Sequence, residues 1–327
     1  MPTNLPPEYV RADRRYREAE TTEERIAALE ELISTVPKHK GTDHLRADLR
    51  RKLAELRRAP HSHRGGSRRP SLYNISREGA GQVVMVGPAN AGKSALLRAL
   101  TAAEPEVSLA PYTTFDPTPG MMAIDDIQAQ LIDTPSLYAD YVDPGLLDLL
   151  KRSDLALLVV DLPADPERQF AETLDLLRQH HIALASAAGE DAPREHGQVP
   201  ALVVANKCDD PSYDDLCEIL CELIERALPM VGVSAETGRH LDRLRDAVYR
   251  GLRTIRVYSK APGKEPDRSA PFTLPIGATV EDMAAKVHRD FVENLKAARV
   301  WGTDVFEGQM VSRDHVLHEG DVVELHI

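Results

Sequence analysis

From residue 82 onward the chain alternates short, mainly apolar runs with longer stretches in which apolar positions recur at helical spacing. The runs 83–86, 127–132, 155–160 and 201–204 read as buried strands, because a strand covered on both faces is apolar almost throughout. Helix-period segments such as 216–228 lie between them. This alternation predicts an α/β fold, a mostly parallel sheet wrapped by helices. Ahead of it, Ile26, Leu29 and Ile33, then Leu45, Leu49, Leu53 and Leu56, recur at spacings of three and four. They predict a helical hairpin between residues 8 and 58, broken at 37–41. Thr21 followed by Glu24 has the form of a capping box. Residues 60–70 form a basic linker without core-forming side chains, and the stretch 186–199, which contains Gly and Pro, is expected to be a surface loop. Beyond Leu252 the pattern changes. The turn-rich stretch 262–266 is expected to mark a boundary, and 272–327 reads as strand, turn, helix and strands. The expected division is a hairpin with linker at 1–70, the α/β domain at 80–255 and a small domain at 270–327.

Composition narrows the class. The chain has 327 residues, of which 42% are hydrophobic and 28% charged, enough apolar material for packed cores and against wholesale disorder. Its net charge of −12 is uneven: residues 1–72 hold 16 Lys and Arg against 11 Asp and Glu, leaving 24 against 41 for the rest. The basic front is suited to phosphate contact, as in RNA, by displacing counterions, and a solvated helical surface accounts for the same charges. The start Met1-Pro2-Thr3-Asn4 is polar, and no run approaches the ~18–20 apolar residues that span a bilayer. The expected location is the cytoplasm, with no membrane partner. Three cysteines, Cys208, Cys217 and Cys221, exclude a disulfide scaffold, and no second ligand pair follows Cys217 and Cys221 at zinc spacing.

The chemistry lies in four motifs. Gly87-Pro88-Ala89-Asn90-Ala91-Gly92-Lys93-Ser94 fits the pattern GxxxxGKS between a strand and a helix starting near Lys93. Its glycines let the loop amides, through Ala95, turn inward around phosphates at a helix N-terminus. Lys93 is placed to reach the β- and γ-phosphate oxygens, and the Ser94 hydroxyl to ligate Mg²⁺. Asn206-Lys207-Cys208-Asp209 follows the strand 201–204, at the edge of the sheet where nucleotides bind. The Asp209 carboxylate can accept from guanine N1–H and the 2-amino group, whereas adenine would leave it unpaired. GTP and GDP are therefore the expected ligands. Asp133-Thr134-Pro135-Ser136 places Asp133 to hold Mg²⁺ through water. In Tyr112-Thr113-Thr114-Phe115-Asp116 a threonine hydroxyl completes the Mg²⁺ sphere when the γ-phosphate is present, with Thr114 preferred over Thr113.

The order GPANAGKS, YTTFD, DTPS, NKCD and SAETG resembles the Obg-related GTPases, especially the developmentally regulated GTP-binding proteins. The tail strengthens the likeness: Phe272-Thr273-Leu274-Pro275, residues 277–282 and residues 318–324 resemble a TGS domain, a ubiquitin-like β-grasp module. The resemblance implies that Asn206 braces the base loop, Lys207 packs along the base plane, and the Ala235 N–H in Ser234-Ala235 meets the base oxygen. It implies slow GTP hydrolysis as a switch, with Lys93 and Thr114 as catalytic residues. It also implies K⁺ beside Asn90, and the ribosome, rRNA or tRNA as partners of the hairpin and TGS module. A protein partner suits the acidic tail. Two features depart from the family pattern: Ser136 replaces a glycine that lets the following segment flip, and the family's extra small domain ahead of 206–209 is replaced by the stretch 186–199. Leu137 stands where Ras-like enzymes carry a water-orienting glutamine. A nucleotide-gated adaptor with negligible hydrolysis is the alternative reading, and an ATPase on the same scaffold a third.

Overall fold

The computed structural model describes residues 28, 29, 31–33, 35 and 36, and then 72–103, 116–137, 142–187, 197–224 and 227–326. The chain forms two compact units, 1–71 and 72–327. In the first, residues 28, 29, 31–33 and 35 are helical, with Leu29 and Leu32 buried. The rest of the expected hairpin and its linker lie outside the described residues.

Among the described residues of the second unit, seven strands form one sheet. They are β1 (Gln82–Val86), β2 (Thr118–Ile124), β3 (Ile127–Asp133), β4 (Leu155–Asp161), β5 (Ala183–Ser186), β6 (Gln198–Asn206) and β7 (Met230–Gly232). The order is β2-β3-β1-β4-β6-β5, with β7 also on β6, and every pair is parallel except β2–β3. Helices α1 (Lys93–Leu100), α2 (Pro144–Arg152), α3 (Pro166–Gln179), α4 (Tyr213–Leu223) and α5 (Leu241–Leu252) cover both faces. Because alternate strand residues face opposite sides, Val84 and Val86 pack with Leu149, Phe170 and Leu220, whereas Val83 and Met85 pack with Leu97, Leu244 and Val248. Helix starts are written locally. Asp143 and Asp165 accept from the first-turn amides of α2 and α3, each followed by a proline at the first helical position.

Sequence and structure differ at five places. The helical pattern at 216–228 stops at Leu223, since the chain must reach Pro229 and β7, and the residue before a proline is biased away from helix. Strands β2 and β5 were not foreseen: β2 contains Pro119 and Gly120 at the edge of the sheet, and β5 has four residues. Ser186 closes β5 and Gln198 opens β6, so the expected loop shrinks from both ends, and 188–196 lie outside the described residues. Residues 262–266 form the turn between two strands of one sheet, so the change of pattern after Leu252 is where the second sheet begins.

That sheet runs β11-β10-β12-β8-β9, from β8 (Thr254–Ser259), β9 (Asp267–Pro275), β10 (Ala297–Trp301), β11 (Gln309–Val311) and β12 (Val322–His326). Two helices, α6 (Val280–Val287) and α7 (Arg289–Asn294), sit between β9 and β10. Val280, Met283 and Ala284 of α6 close a core with Val257, Leu274, Val300 and Val323. Thr279 caps α6 and is capped in return by Asp282.

The two sheets meet at Arg256 of β8. Its guanidinium donates to Asp126 at 2.9 Å and Asp125 at 3.2 Å, both in the β2–β3 turn, and to Glu319 at 2.6 Å. Tyr258 donates to Asp126 and Tyr249 to Glu319, at 2.6 and 2.7 Å. Arg256 is 21% exposed, and removing it takes away the cation that Asp125, Asp126 and Glu319 share, leaving Asp126 and Glu319 to the tyrosine hydroxyls. Arg256→Ala is expected to loosen the C-terminal sheet by about 1–3 kcal/mol. Trp301, the only tryptophan of the chain, reports it: its fluorescence midpoint in urea should fall further than the far-ultraviolet dichroism midpoint.

Candidate functional site

The phosphate loop is shaped by two close approaches. Gly87 has φ 152°, and a Cβ there would lie 2.2 Å from the Val159 carbonyl oxygen of β4. Gly92 has φ 92°, and its Cβ would lie 2.1 Å from Asn206 Nδ2. Only glycine fits at either position. Asn90 takes φ 62°, and α1 then starts at Lys93 behind Gly92, which has no side chain to cap the first turn. Lys93 is 6% exposed. Its ammonium donates to the Gly87 and Pro88 carbonyls at 3.0 and 2.9 Å and to Ser136 Oγ at 3.1 Å. Burial pulls its pKa down to about 8 against the opposing pull of the nearby Asp133 charge.

Asp133 closes β3 and is fully buried. Oδ2 accepts from Ser94 Oγ at 2.5 Å, and Oδ1 has no hydrogen-bond partner among the described residues. Burial holds this carboxyl above its ordinary range, opposed by the Ser94 hydrogen bond and the Lys93 charge. Behind it, Thr134 Oγ1 donates to the Met85 carbonyl at 2.6 Å and the Leu137 N–H to the Gly87 carbonyl at 3.3 Å, so β1 and the segment after β3 hold each other. Thr113 and Thr114 lie outside the described residues.

Opposite, the Asn206 amide spans two loops: Nδ2 donates to the Ala91 carbonyl at 2.9 Å, and Oδ1 accepts from Ala235 N–H at 3.1 Å. Asp209 is exposed, and its Oδ1 accepts from Ser234 Oγ at 2.6 Å. Gly92, Ala95, Asn206, Lys207, Asp209 and Ala235 line one cavity of about 340 Å³. Larger cavities of about 470 and 480 Å³ lie where the two sheets join, but neither is lined by a residue of the phosphate loop, of 133–136, of 206–209 or of 234–235. The structure thus gathers Gly87, Asn90, Ala91, Gly92, Lys93, Ser94, Ala95, Asp133, Asn206, Lys207, Asp209, Ser234 and Ala235 at one edge of the sheet. Sequence reasoning missed Asp161, whose Oδ2 lies 2.5 Å from Lys207 Nζ. Its one signal is a carboxylate ending an otherwise apolar strand.

Residues 82–207 match the family model described as 50S ribosome-binding GTPase, and residues 255–327 the model of the TGS domain. Developmentally-regulated GTP-binding protein 1 of Xenopus laevis is 25% identical over 92% of this chain and 98% of its own length. A GTP-binding protein of Methanocaldococcus jannaschii is 30% identical over 93% of this chain and 92% of its own. The chain belongs to this Obg-related family of GTP-binding proteins. The GTP-binding protein therefore combines an α/β P-loop GTPase domain, its sheet mixed, with a C-terminal TGS domain. The solved YchF GTPase of Schizosaccharomyces pombe shares the fold at a TM-score of 0.52 and 12% identity, over 77% of this chain and 99% of that one. Among the described residues no helix is long and apolar enough to cross a membrane.

The depressed Lys93 pKa has a measurable sign. Below about pH 8 the folded chain carries a buried ammonium at a cost, and between there and 10.5 the unfolded chain holds more protons, so this group favours folding increasingly as pH rises. In the nucleotide-free protein, Lys93→Met is expected to raise stability at pH 7 by up to about 3 kcal/mol. Urea titrations from pH 7 to 10.5 should show that advantage fading.

Proposed function

We propose that this GTP-binding protein hydrolyses GTP to GDP and phosphate as a slow conformational switch associated with the ribosome or its RNA. The observation that carries the reading is the Asn206 amide, which fixes the phosphate loop at Ala91 to the base-reading loop at Ala235. The two ends of one nucleotide are then served by one rigid frame. The Asp209 carboxylate accepts from the guanine edge, the Ala235 N–H meets the base oxygen while shared with Asn206 Oδ1, and Ser234 steadies Asp209. Loop amides from Asn90 to Ala95 surround the phosphates, and Lys93 exchanges its carbonyl acceptors for phosphate oxygens.

The buried, unpartnered Oδ1 of Asp133, beside the Ser94 hydroxyl, is the donor set that a hard divalent cation requires, so these residues fit Mg²⁺. Ser94 and Asp133 would hold it with Thr114, and when bound it supplies positive charge against the phosphates. Water attacks the γ-phosphorus in line, the bond to the β–γ bridging oxygen breaks, and Lys93 stabilises the charge that gathers there. Leu137 carries no group to orient that water, which supports slow turnover. Asn90 would help hold K⁺, which when bound would supply additional positive charge against the phosphates. The working division is 1–70, 80–255 and 270–327, with β8 joining the last. Ribosome or tRNA contact through the basic front is supported by its charge and by the name of the matching family model, contact through the TGS domain rests on the family resemblance, and a protein partner suits the acidic tail. The cytoplasm is the proposed location.

Single-turnover hydrolysis with and without ribosomes, in KCl and in NaCl, tests this. A ribosome-dependent rate at least tenfold above a Lys93→Ala control is expected, faster in KCl. If GTP binds but neither condition exceeds the control, the protein is an adaptor. Asp209→Asn turns one acceptor into a donor and should lower GTP affinity by about 10²-fold or more, while improving that for xanthosine triphosphate, whose ring carries an oxygen at the 2-position. Competition against a fluorescent nucleotide measures both.

A further inference from the structure

Asp161 ends β4 directly beside Asn206 in the parallel β4–β6 ladder. Its side chain is 14% exposed. Oδ2 accepts from Lys207 Nζ at 2.5 Å, while Oδ1 is buried and has no hydrogen-bond partner among the described residues. Separating this pair would leave a poorly solvated carboxylate uncompensated, so the ammonium is held firmly. A second constraint acts on the same residue. Lys207 has φ 67°, in the left-handed region that a non-glycine residue occupies only where its surroundings dictate it. Backbone and ion pair together orient one long side chain along the wall of the 340 Å³ cavity that it shares with Asp209 and Ala235.

We propose that Asp161 is a positioning residue for purine recognition. It tethers the Lys207 ammonium so that the apolar four-carbon stem, not the charge, faces the base. The inference rests on reading this cavity as the guanine site. A lysine without its tether samples many rotamers and must lose that freedom when the base arrives, whereas the tethered one has lost it already. The effect acts on the base end of the ligand. The phosphates are served by Lys93, whose ammonium lies among Gly87, Pro88 and Ser136. Removing the tether should therefore weaken ligands in proportion to their purine contact and leave a bare polyphosphate alone.

The test uses the full chain and two probes in magnesium, a fluorescent GTP and inorganic tripolyphosphate, with Asp161→Asn, Lys207→Ala, the double variant and Asp209→Asn. Asp161→Asn is expected to weaken GTP about 5- to 30-fold, to leave tripolyphosphate within about twofold, and to add less than about twofold in the Lys207→Ala background. Equal losses for both probes would mean that Asp161 supports only the strand end, and additive losses in the double variant would mean that it acts without Lys207. Either overturns the proposal. So does an unaltered GTP affinity in Asp161→Asn while Asp209→Asn loses it. If Asp209→Asn binds GTP like the parent protein, the guanine-site reading falls and the proposal with it. Should Asp161→Asn not fold, Asp161→Glu, which keeps the charge but moves it by one methylene, is expected to show the same base-dependent loss at smaller size, and equal losses for both probes overturn the idea there too.

Discussion

One buried amide organises the nucleotide edge of this protein. Asn206 is 1% exposed and reaches Ala91 on one side and Ala235 on the other. Both of its partners are backbone groups in loops, which have no ladder of their own to satisfy them. Losing the amide would orphan a carbonyl and an N–H together, a cost above that of one neutral hydrogen bond. Other features follow from its position. Gly92 has no room for a Cβ because Nδ2 occupies it, and the cavity has a fixed wall because Asn206 cannot turn away.

How much of this could be read in advance depends on how local each determinant is. The P-loop was legible because strand, glycines, lysine and helix start occupy one continuous stretch. The tetrad 206–209 was legible because it follows a strand with eight buried residues in nine. Strand β2 was hidden: its seven residues alternate only weakly, and Pro119 and Gly120 read as turn signals. The tether at Asp161 was out of reach for another reason, since its partner lies 46 positions away and neither residue signals the other. The same holds for Arg256, whose acceptors in the β2–β3 turn are 130 and 131 residues distant.

Arg256 also shows how the TGS sheet is attached. Its contacts fall on Asp125 and Asp126, at the tip of the hairpin whose second strand ends in Asp133. One antiparallel pair of strands therefore touches the TGS sheet at its turn and the Ser94 hydroxyl at its opposite end. That is a continuous, hydrogen-bonded path between the two, built from an edge pair of the sheet and not from its rigid centre.

The bond between Asn206 and Ala91 joins residues 115 positions apart. During synthesis at about 5–20 residues per second, the nucleotide loop emerges several seconds before the strand that braces it. Until β6 is inserted between β4 and β5, the nascent chain carries an unsupported glycine loop and an open sheet edge. Nucleotide cannot template the early steps of this fold, and can stabilise the domain only once its last third has been made.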